Sequence, residues 1–432
     1  MATKTVKQTG DTTVAGGGEL GRTGLNSWGG QVREEFLREL QGIKGIRVYR
    51  EMRDNDAVVG AILTAIELLI RNVTWRVEAA DDSQEAVRAK DLVETSLNRM
   101  SFTWKDTLSE ILSMLVYGWS WLETVYEKRE DDGLLGWKKW AIRGQETLIK
   151  WEFDPEGGIQ GMWQSTSTRP APVLIPIDRS LLFRTRIERN NPEGYSILRR
   201  AYRSWFYKKR IEEIEGIAIE RDMTGVPVLI PPEGVDLWNT KDSVAVTSLA
   251  NAEKVVRSLK RDQHEGIVIG FGWELKLLTT GGRRQMDITG VIERYDRRIA
   301  MSTLADFILM GSERVGSFAL ARTKSDIFVL AVGAYLEGIT EVINTFAIRR
   351  LMDLNSIPKE LSPKLVPGTI EHVDLVELGG YITSLAGAGA PLFPDPELEK
   401  YLRRVATLPQ PPEEQEAAPA SIVTEKRVEV DL

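Results

Sequence analysis

Apolar residues recur at helical spacing along most of the chain and alternate at strand spacing in its first half, and the change of period marks out the elements. Val32, Phe36, Leu37 and Leu40 fall three to four residues apart, which predicts a first helical stretch from Gln31. Tyr49 to Arg71 predicts a single longer helix, with Met52, Val58, Val59, Ile62, Leu63, Ile66, Leu69 and Ile70 on a wide apolar face. Trp75 to Glu78 alternates as a short strand. Ser83 opens a helix through Leu97, and Thr103 to Val116 predicts another, with Thr103 and Asp106 as candidate N-caps. Gly118 breaks that pattern and Tyr117 to Glu127 reads as strand. Short alternating runs follow at Trp137–Ile142, Ile149–Phe153, Ile159–Gln164 and Leu181–Arg186, separated by Asp-Gly, Pro-Glu-Gly-Gly and Pro-rich turns. Residues 31 to about 190 therefore predict an α+β domain of antiparallel hairpins.

A different pattern begins at Gly194. A helix from about Ser196 to Met223 leads into a small block: strand Val226–Ile230, helix Val244–Arg261, strands Gly266–Phe271 and Trp273–Leu278. A second long helix, about Asp287 to Leu309, closes it. A βαββ module is thus inserted between two long helices, and its ends must lie close together. After a Gly/Ser break at 311–317, Ala319 to Asn355 predicts one very long helix. Ile357 to Pro367 reads as linker, and His372–Ala386 and Pro396–Thr407 as two further helices. Residues 1 to about 30, rich in Gly and Thr, and the Pro/Glu-rich chain from Pro409 predict disordered termini.

Charge changes the picture at the first long helix. Arg199, Arg200, Arg203, Lys208, Lys209 and Arg210 fill its first half, and Glu212, Glu213, Glu215, Glu220 and Asp222 its second. That order opposes the helix dipole by about 0.3–1 kcal/mol per terminal charge. Two explanations stand: the charges meet solvent and local partners, or they are placed for neighbouring copies or a polyanion.

Composition removes several classes of chemistry. The 432 residues carry no Cys, two His and a formal charge of −7, with 42% hydrophobic and 28% charged residues. Disulfide scaffolds and Cys nucleophiles are excluded, and His264 and His372 have no ligand-spaced neighbours. No Walker A spacing and no G-x-S-x-G elbow occur, and the lone G-x-G-x-x-G at Gly16, Gly18 and Gly21 follows no strand. The longest charge-free stretch, Leu378 to Pro394, is broken by Gly and Pro, so no membrane span, catalytic site, metal site or cofactor is expected. The acidic balance argues against coating DNA by bulk charge.

The ordered blocks of this chain resemble the portal proteins of tailed double-stranded DNA phages, the Mu-like class in particular. The resemblance covers residues 46 to 355. It rests on Asp56–Gly60 through Arg71–Glu78, on Tyr117-Gly118-Trp119-Ser120 with Glu123 and Tyr126-Glu127, and on Trp151–Asp154 followed by Gly157-Gly158. Tyr295–Ile299 through Leu304, then Gly311-Ser312 and Ser317, and finally Ile348–Asn355 complete it. Met301–Asp306 departs from the family's small, polar run at that point.

The resemblance implies a portal-type α+β fold. Residues 31–195 would be the wing, 196–224 and 283–308 the stem helices, and 225–282 the clip. Residues 309–325 would be the channel loop, 326–365 a long helix returning to the wing, and 366–408 a helical crown, between a disordered arm (1–30) and an acidic tail (409–432). Implied partners are about eleven further copies in a ring, the terminase large subunit, the major capsid protein, a head–tail adaptor and duplex DNA passing through. The implied location is the portal vertex of the virion, with assembly in the host cytoplasm.

Met310, Ser312, Glu313, Arg314, Val315, Phe318 and Arg322 become DNA-facing candidates, Arg314 and Phe318 nearest the duplex. Arg199, Arg203, Lys209, Arg210, Glu212, Glu213, Arg294, Arg297 and Arg298 become inter-subunit candidates, with Trp205, Ile211, Ile214 and Ile217 as the apolar alternative. Pro231, Pro232, Trp238 and Trp273 become partner contacts of the clip. Two other classes stay open: a metal-dependent nucleic-acid enzyme using Asp/Glu clusters, and an adaptor or scaffold that forms no ring.

Overall fold

The computed structural model describes residues 21–224, 226–239, 241–258, 268–278, 288–305, 318–370, 375–387 and short pieces as far as 403. They divide into two units, with the boundary after Gly368. The first unit opens with a hairpin, Ser27–Trp28 (β1) against Gln31–Val32 (β2). The Gly30 carbonyl accepts the Trp151 backbone N–H at 2.8 Å. Residues 21–30 are therefore built into the domain, which corrects the expected disordered arm over that part; residues 1–20 lie outside the described residues. The helix expected from Gln31 is also absent, because the run holds β2 and then a single 3-10 turn, Arg38–Leu40.

Two helices replace the single one expected over Tyr49–Arg71: Gly42–Asn55 (α1) and Ala57–Asn72 (α2). The break is Asp56, whose buried carboxylate accepts the N–H groups of Val58 and Val59, both at 3.0 Å. Such a cap satisfies two of the orphan donors at a helix start and stabilises it by about 1 kcal/mol. Strand Trp75–Glu78 (β3) and helix Gln84–Asn98 (α3), capped by Ser83, follow as expected. Helix Trp104–Tyr117 (α4) is capped by Thr103, and Asp106 lies in its first turn.

Five strands and one more complete the sheets: Trp119–Lys128 (β4), Leu135–Arg143 (β5), Leu148–Phe153 (β6), Ile159–Gln164 (β7), Val173–Pro176 (β8) and Ser180–Arg184 (β9). They form two antiparallel sheets, ordered β5-β4-β9 and β6-β7-β8. Indoles join them: Trp119 and Trp121 of β4 pack on Trp151 of β6 at 5.0 and 5.6 Å, with Met162, Ile175 and Leu182 around them. Burying each of these side chains contributes about 2–3 kcal/mol, which makes this the fixed floor of the domain.

Helix Tyr202–Thr224 (α5) then leaves the domain. Strand Val226–Ile230 (β10), helix Ser243–Ser258 (α6) and strand Glu274–Leu278 (β11) come next, and helix Ile288–Ser302 (α7) returns. β10 and β11 pair antiparallel, Val228 opposite Lys276, so the ends of the inserted module do meet. The strand expected at Gly266–Phe271 is not formed by its described part, since Val268–Phe271 runs as coil and turn, and the order here is β-α-β. α7 also stops seven residues before the expected Leu309, where Leu304 turns to φ 61°.

The expected very long helix is continuous from Phe318 to Leu354, as Phe318–Val342 (α8), a π-helical stretch Ile343–Ile348, and Arg349–Leu354 (α9). The expected linker after it contains a strand instead, Lys364–Pro367 (β12), paired with β3. In the second unit, helix Leu375–Gly387 (α10) is followed by short helical pieces at 398–399 and 402–403, where Arg403 pairs with Glu399. The rest of the expected crown and the acidic tail lie outside the described residues.

Candidate functional site

Where α5 and α7 meet the domain, charged groups from three helices come together. The chain enters this junction through a close backbone approach. Gly118 ends α4 at φ 91°, Gly194 stands against it at φ 55°, and a β-carbon on either would press on the other segment's backbone. Ser196 then donates to the Val116 carbonyl at 2.5 Å and accepts the Leu198 N–H, which starts a 3-10 turn at Ile197. Leu198, Ala201, Tyr202 and Trp205 drop into a core with Leu40, Ile46, Tyr49, Met52 and Ile299. The first turns of α5 are thereby fixed on α1, α4 and α7.

Lys208 is the hub of the junction. Its side chain is 7% exposed, and its ammonium lies 2.6 Å from Asp296 of α7, 3.0 Å from Asp56 at the start of α2 and 3.8 Å from Glu212. Burial alone disfavours the charged lysine, but the hydrogen bonds and attraction of Asp296 and Asp56 outweigh it and hold its pKa above the ordinary value. Burial raises the carboxyl of Glu212 in turn. Three helices are thus tied at one ammonium, and removing it leaves the charges of Asp56 and Asp296 without their cation, Asp56 keeping only its two cap hydrogen bonds.

The inter-subunit candidates divide into two groups. Arg199 is taken up inside its own chain by Glu35, its Nε and Nη2 donating at 2.5 and 2.8 Å, and Lys209 is paired with Glu51 beside the Trp205 ring. Glu212 faces Lys208, and Arg210 lies over the Phe206 ring at 4.6 Å. These contacts account for half of the basic run: Arg199, Lys208 and Lys209 answer Glu35, Asp56 and Glu51, and for them the local-partner explanation of the dipole-opposed order holds. Arg203, Glu213, Arg294, Arg297 and Arg298 remain on the surface. Arg294 and Arg298 flank the Tyr295 ring at 5.6 and 5.8 Å, and Tyr295 stacks on Tyr207 at 6.5 Å. Of the apolar candidates, Trp205 is core, Ile211 half-buried, and Ile214 and Ile217 exposed.

In the inserted module Trp238 stands out into solvent, whereas Trp273 folds onto Gly270 and Pro231 and Pro232 are half-buried. Met310, Ser312, Glu313, Arg314 and Val315 lie outside the described residues, as do His264 and His372. Phe318 opens α8 and Arg322 lies one turn on. No group of three or more His, Asp or Glu is arranged as metal ligands among the described residues, and no described helix is long and apolar enough to cross a membrane.

Sequence reasoning missed the Lys208 hub. Asp56 carried a readable signal, an Asn-Asp pair directly before the apolar run Ala57–Val59, which is an N-cap pattern. Asp296 carried none, since its meeting with Lys208 is purely tertiary.

Solved structures of gene transfer agent particles share this architecture. The virion of a native particle matches with a TM-score of 0.52, 13% identity and coverage of 84% of this chain and 93% of that one. The neck of a native particle, computed with C12 symmetry, matches with a TM-score of 0.51 at the same identity and coverage. At such identity the likeness speaks for the fold. The family described as the portal protein of Mu bacteriophage matches residues 46–406, most of the chain, and it is to this family of portal proteins that the chain belongs.

Proposed function

We propose that this portal protein forms a ring of about twelve copies at one vertex of a phage or gene-transfer-agent particle, and that the ring is the channel through which duplex DNA enters and leaves. The observation that carries the ring is the two-sidedness of the helix pair. Glu213, Ile214 and Ile217 of α5 are exposed on one helix, and Arg294 and Arg298 on the other, while the buried side of the pair is locked by Lys208. A head-to-tail ring needs two different complementary faces on each copy, and opposite charge fixes their order and orientation more than it adds affinity. The C12 symmetry of the particle neck with the same fold supports the copy number.

In this reading residues 31–195 and 326–365 are the wing, 196–224 and 283–308 the stem, 225–282 the clip and 366–408 the crown. Residues 309–325, with Arg314 and Phe318, face the DNA. The clip, with Trp238 at its surface, meets a head–tail adaptor, and a separate terminase docks and supplies ATP hydrolysis, for which this sequence has no Walker motif. The capsid protein holds the ring at its vertex. A net charge of −7 per copy keeps the polyanion sliding instead of bound.

Native mass of the purified chain tests the reading. A particle about twelve times the 48.5 kDa chain is expected, and a single-copy species at high concentration overturns it. Arg314→Glu is expected to slow DNA packaging; unchanged packaging removes Arg314 from the channel wall.

A further inference from the structure

One large apolar side chain near the stem is left almost bare by its own chain. Phe36 is 89% exposed, yet the segment carrying it is pinned: Glu35 takes both Arg199 donors, Gln41 donates to the Glu35 carbonyl at 2.7 Å, and the Tyr202 hydroxyl donates to Glu39 at 3.5 Å. Of the acids on this segment, Glu34 pairs with Arg189 and Glu35 with Arg199, while Glu39, three residues from Phe36, is exposed and takes only the Tyr202 hydroxyl.

Residues 195–200 also line a second feature, a cleft of about 390 Å³ between the end of α7 and α8. Its apolar lining includes Ile66, Ile197, Phe328 and Val332, and Arg200 and Leu304 stand at it exposed. Arg200 has no carboxylate partner among the described residues; the Tyr335 hydroxyl is the group its charge acts on. Leu304 sits at φ 61°, the left-handed region that a β-carbon disfavours, fixed by its N–H to Met301 and by Ala305 to Ala300. It is 48% exposed, so the strained turn gains it no burial within its own chain.

We propose that Phe36 of one copy seats in this cleft of the next, with Arg200 facing Glu39 of the segment that carries the phenyl ring. The proposal rests on the ring reading above and deepens it by naming a contact. Both features hang on residues 195–200, so in a closed ring of parallel copies they lie at one level. They are also different surfaces, as a head-to-tail contact requires. An exposed phenyl ring with the carboxylate of Glu39 on its segment matches an apolar cleft with the guanidinium of Arg200 at it, and burying an exposed aromatic in a pocket is the pattern of an interface anchor.

The absence of Cys from the chain makes the test clean. Phe36→Cys combined with Leu304→Cys, treated as assembled ring with a short bis-maleimide, is expected to give a ladder of covalent multimers on a denaturing gel. Each single variant should stop at the dimer or below. A particle of ring mass with no ladder overturns the contact and leaves the ring standing; a single-copy mass for the unmodified chain overturns both. Phe36→Ala and Arg200→Glu are each expected to raise the concentration for half-assembly about tenfold or more, with circular dichroism and thermal unfolding of the subunit unchanged. Assembly at the unmodified concentration in both variants overturns the proposal.

Discussion

At Glu193 a carboxyl lies just before the chain enters α5, accepting the Trp151 indole N–H at 3.1 Å, and burial pushes its pKa up to about 7. A folded-state value above the unfolded one near 4.5 means the neutral acid is the stabilising form. That stability is complete below pH 4.5 and is lost as pH rises through 7. Glu193→Gln keeps the acceptor and carries no charge. It should therefore leave stability at pH 4.5 unchanged and raise it at pH 8 by an amount on the order of 2 kcal/mol, measured by urea unfolding at the two values. A gain of equal size at both pH values would mean packing and not ionisation. Lys208 follows the same sign, but its protonated, stabilising form is the cation and its window lies far higher. Its raised pKa keeps its stabilising charge in place throughout the neutral range, lost only as pH climbs through that raised value. Lys208→Met strands Asp56 and Asp296 and is expected to cost about 3–5 kcal/mol, whereas Lys209→Met, breaking a half-exposed pair, should cost under ~1 kcal/mol.

The π-helical stretch explains how one helix serves two phases. Phe328, Val332, Leu336, Ile339 and Ile343 bury a stripe at α-helical spacing, but the next buried residues are Ala347, Ile348, Leu351 and Met352, one position late. The wide turn absorbs the extra residue and leaves Phe346 exposed. Asn344 within it bonds the Leu365 N–H and carbonyl of β12 at 2.8 and 3.0 Å, fastening helix to strand. Deleting Phe346 would bring Ala347, Ile348, Leu351 and Met352 to i+3, i+4, i+7 and i+8 from Ile343. That variant should fold with a stability loss of about 1 kcal/mol or less, while deleting Leu330 breaks a stripe already in phase and should cost several times more, as thermal unfolding would report. The same helix marks the limit of what the sequence revealed. Its existence from Ala319 to Asn355 was plain from apolar spacing, and so were α3, α4 and the strands β4 to β7 with their turns. The phase slip was not, because a one-residue offset hides inside a mostly apolar run. β8 and β12 were missed because four residues beside Pro carry too little alternation, and their pairing is set by distant partners, β7 and β3. The charges along α5 were legible as a pattern, but their use was not. Glu35, Glu51, Asp56 and Asp296 had to be brought to this run by folding before Arg199, Lys208 and Lys209 found internal partners.

On the scale of the whole molecule, the division between internal and external charge decides how an assembled ring should answer to salt. The cations of α5 that pair within the chain are already spent, so between its exposed face and that of α7 it is Glu213 against Arg294 and Arg298 that carries the electrostatics in the proposed ring, in addition to Arg200 at the Phe36 contact and beside the apolar pair Ile214 and Ile217. Raising the ionic strength from 0.15 M to 1 M shortens the screening length from about 8 Å to about 3 Å and removes most attraction between exposed charges, while apolar contacts are kept or strengthened. The ring should therefore loosen in 1 M sodium chloride without dissolving, seen in native mass as a partial shift to smaller species. Arg294→Glu should produce that shift at low salt, and pairing it with Glu213→Arg should reverse it if the two face each other across the interface. Ile214→Ser should weaken the ring at both salt concentrations. A ring indifferent to salt and to both charge reversals, yet sensitive to Ile214→Ser, would show that apolar packing alone holds the copies. Arg294 and Arg298 would then be available to whatever docks beside them.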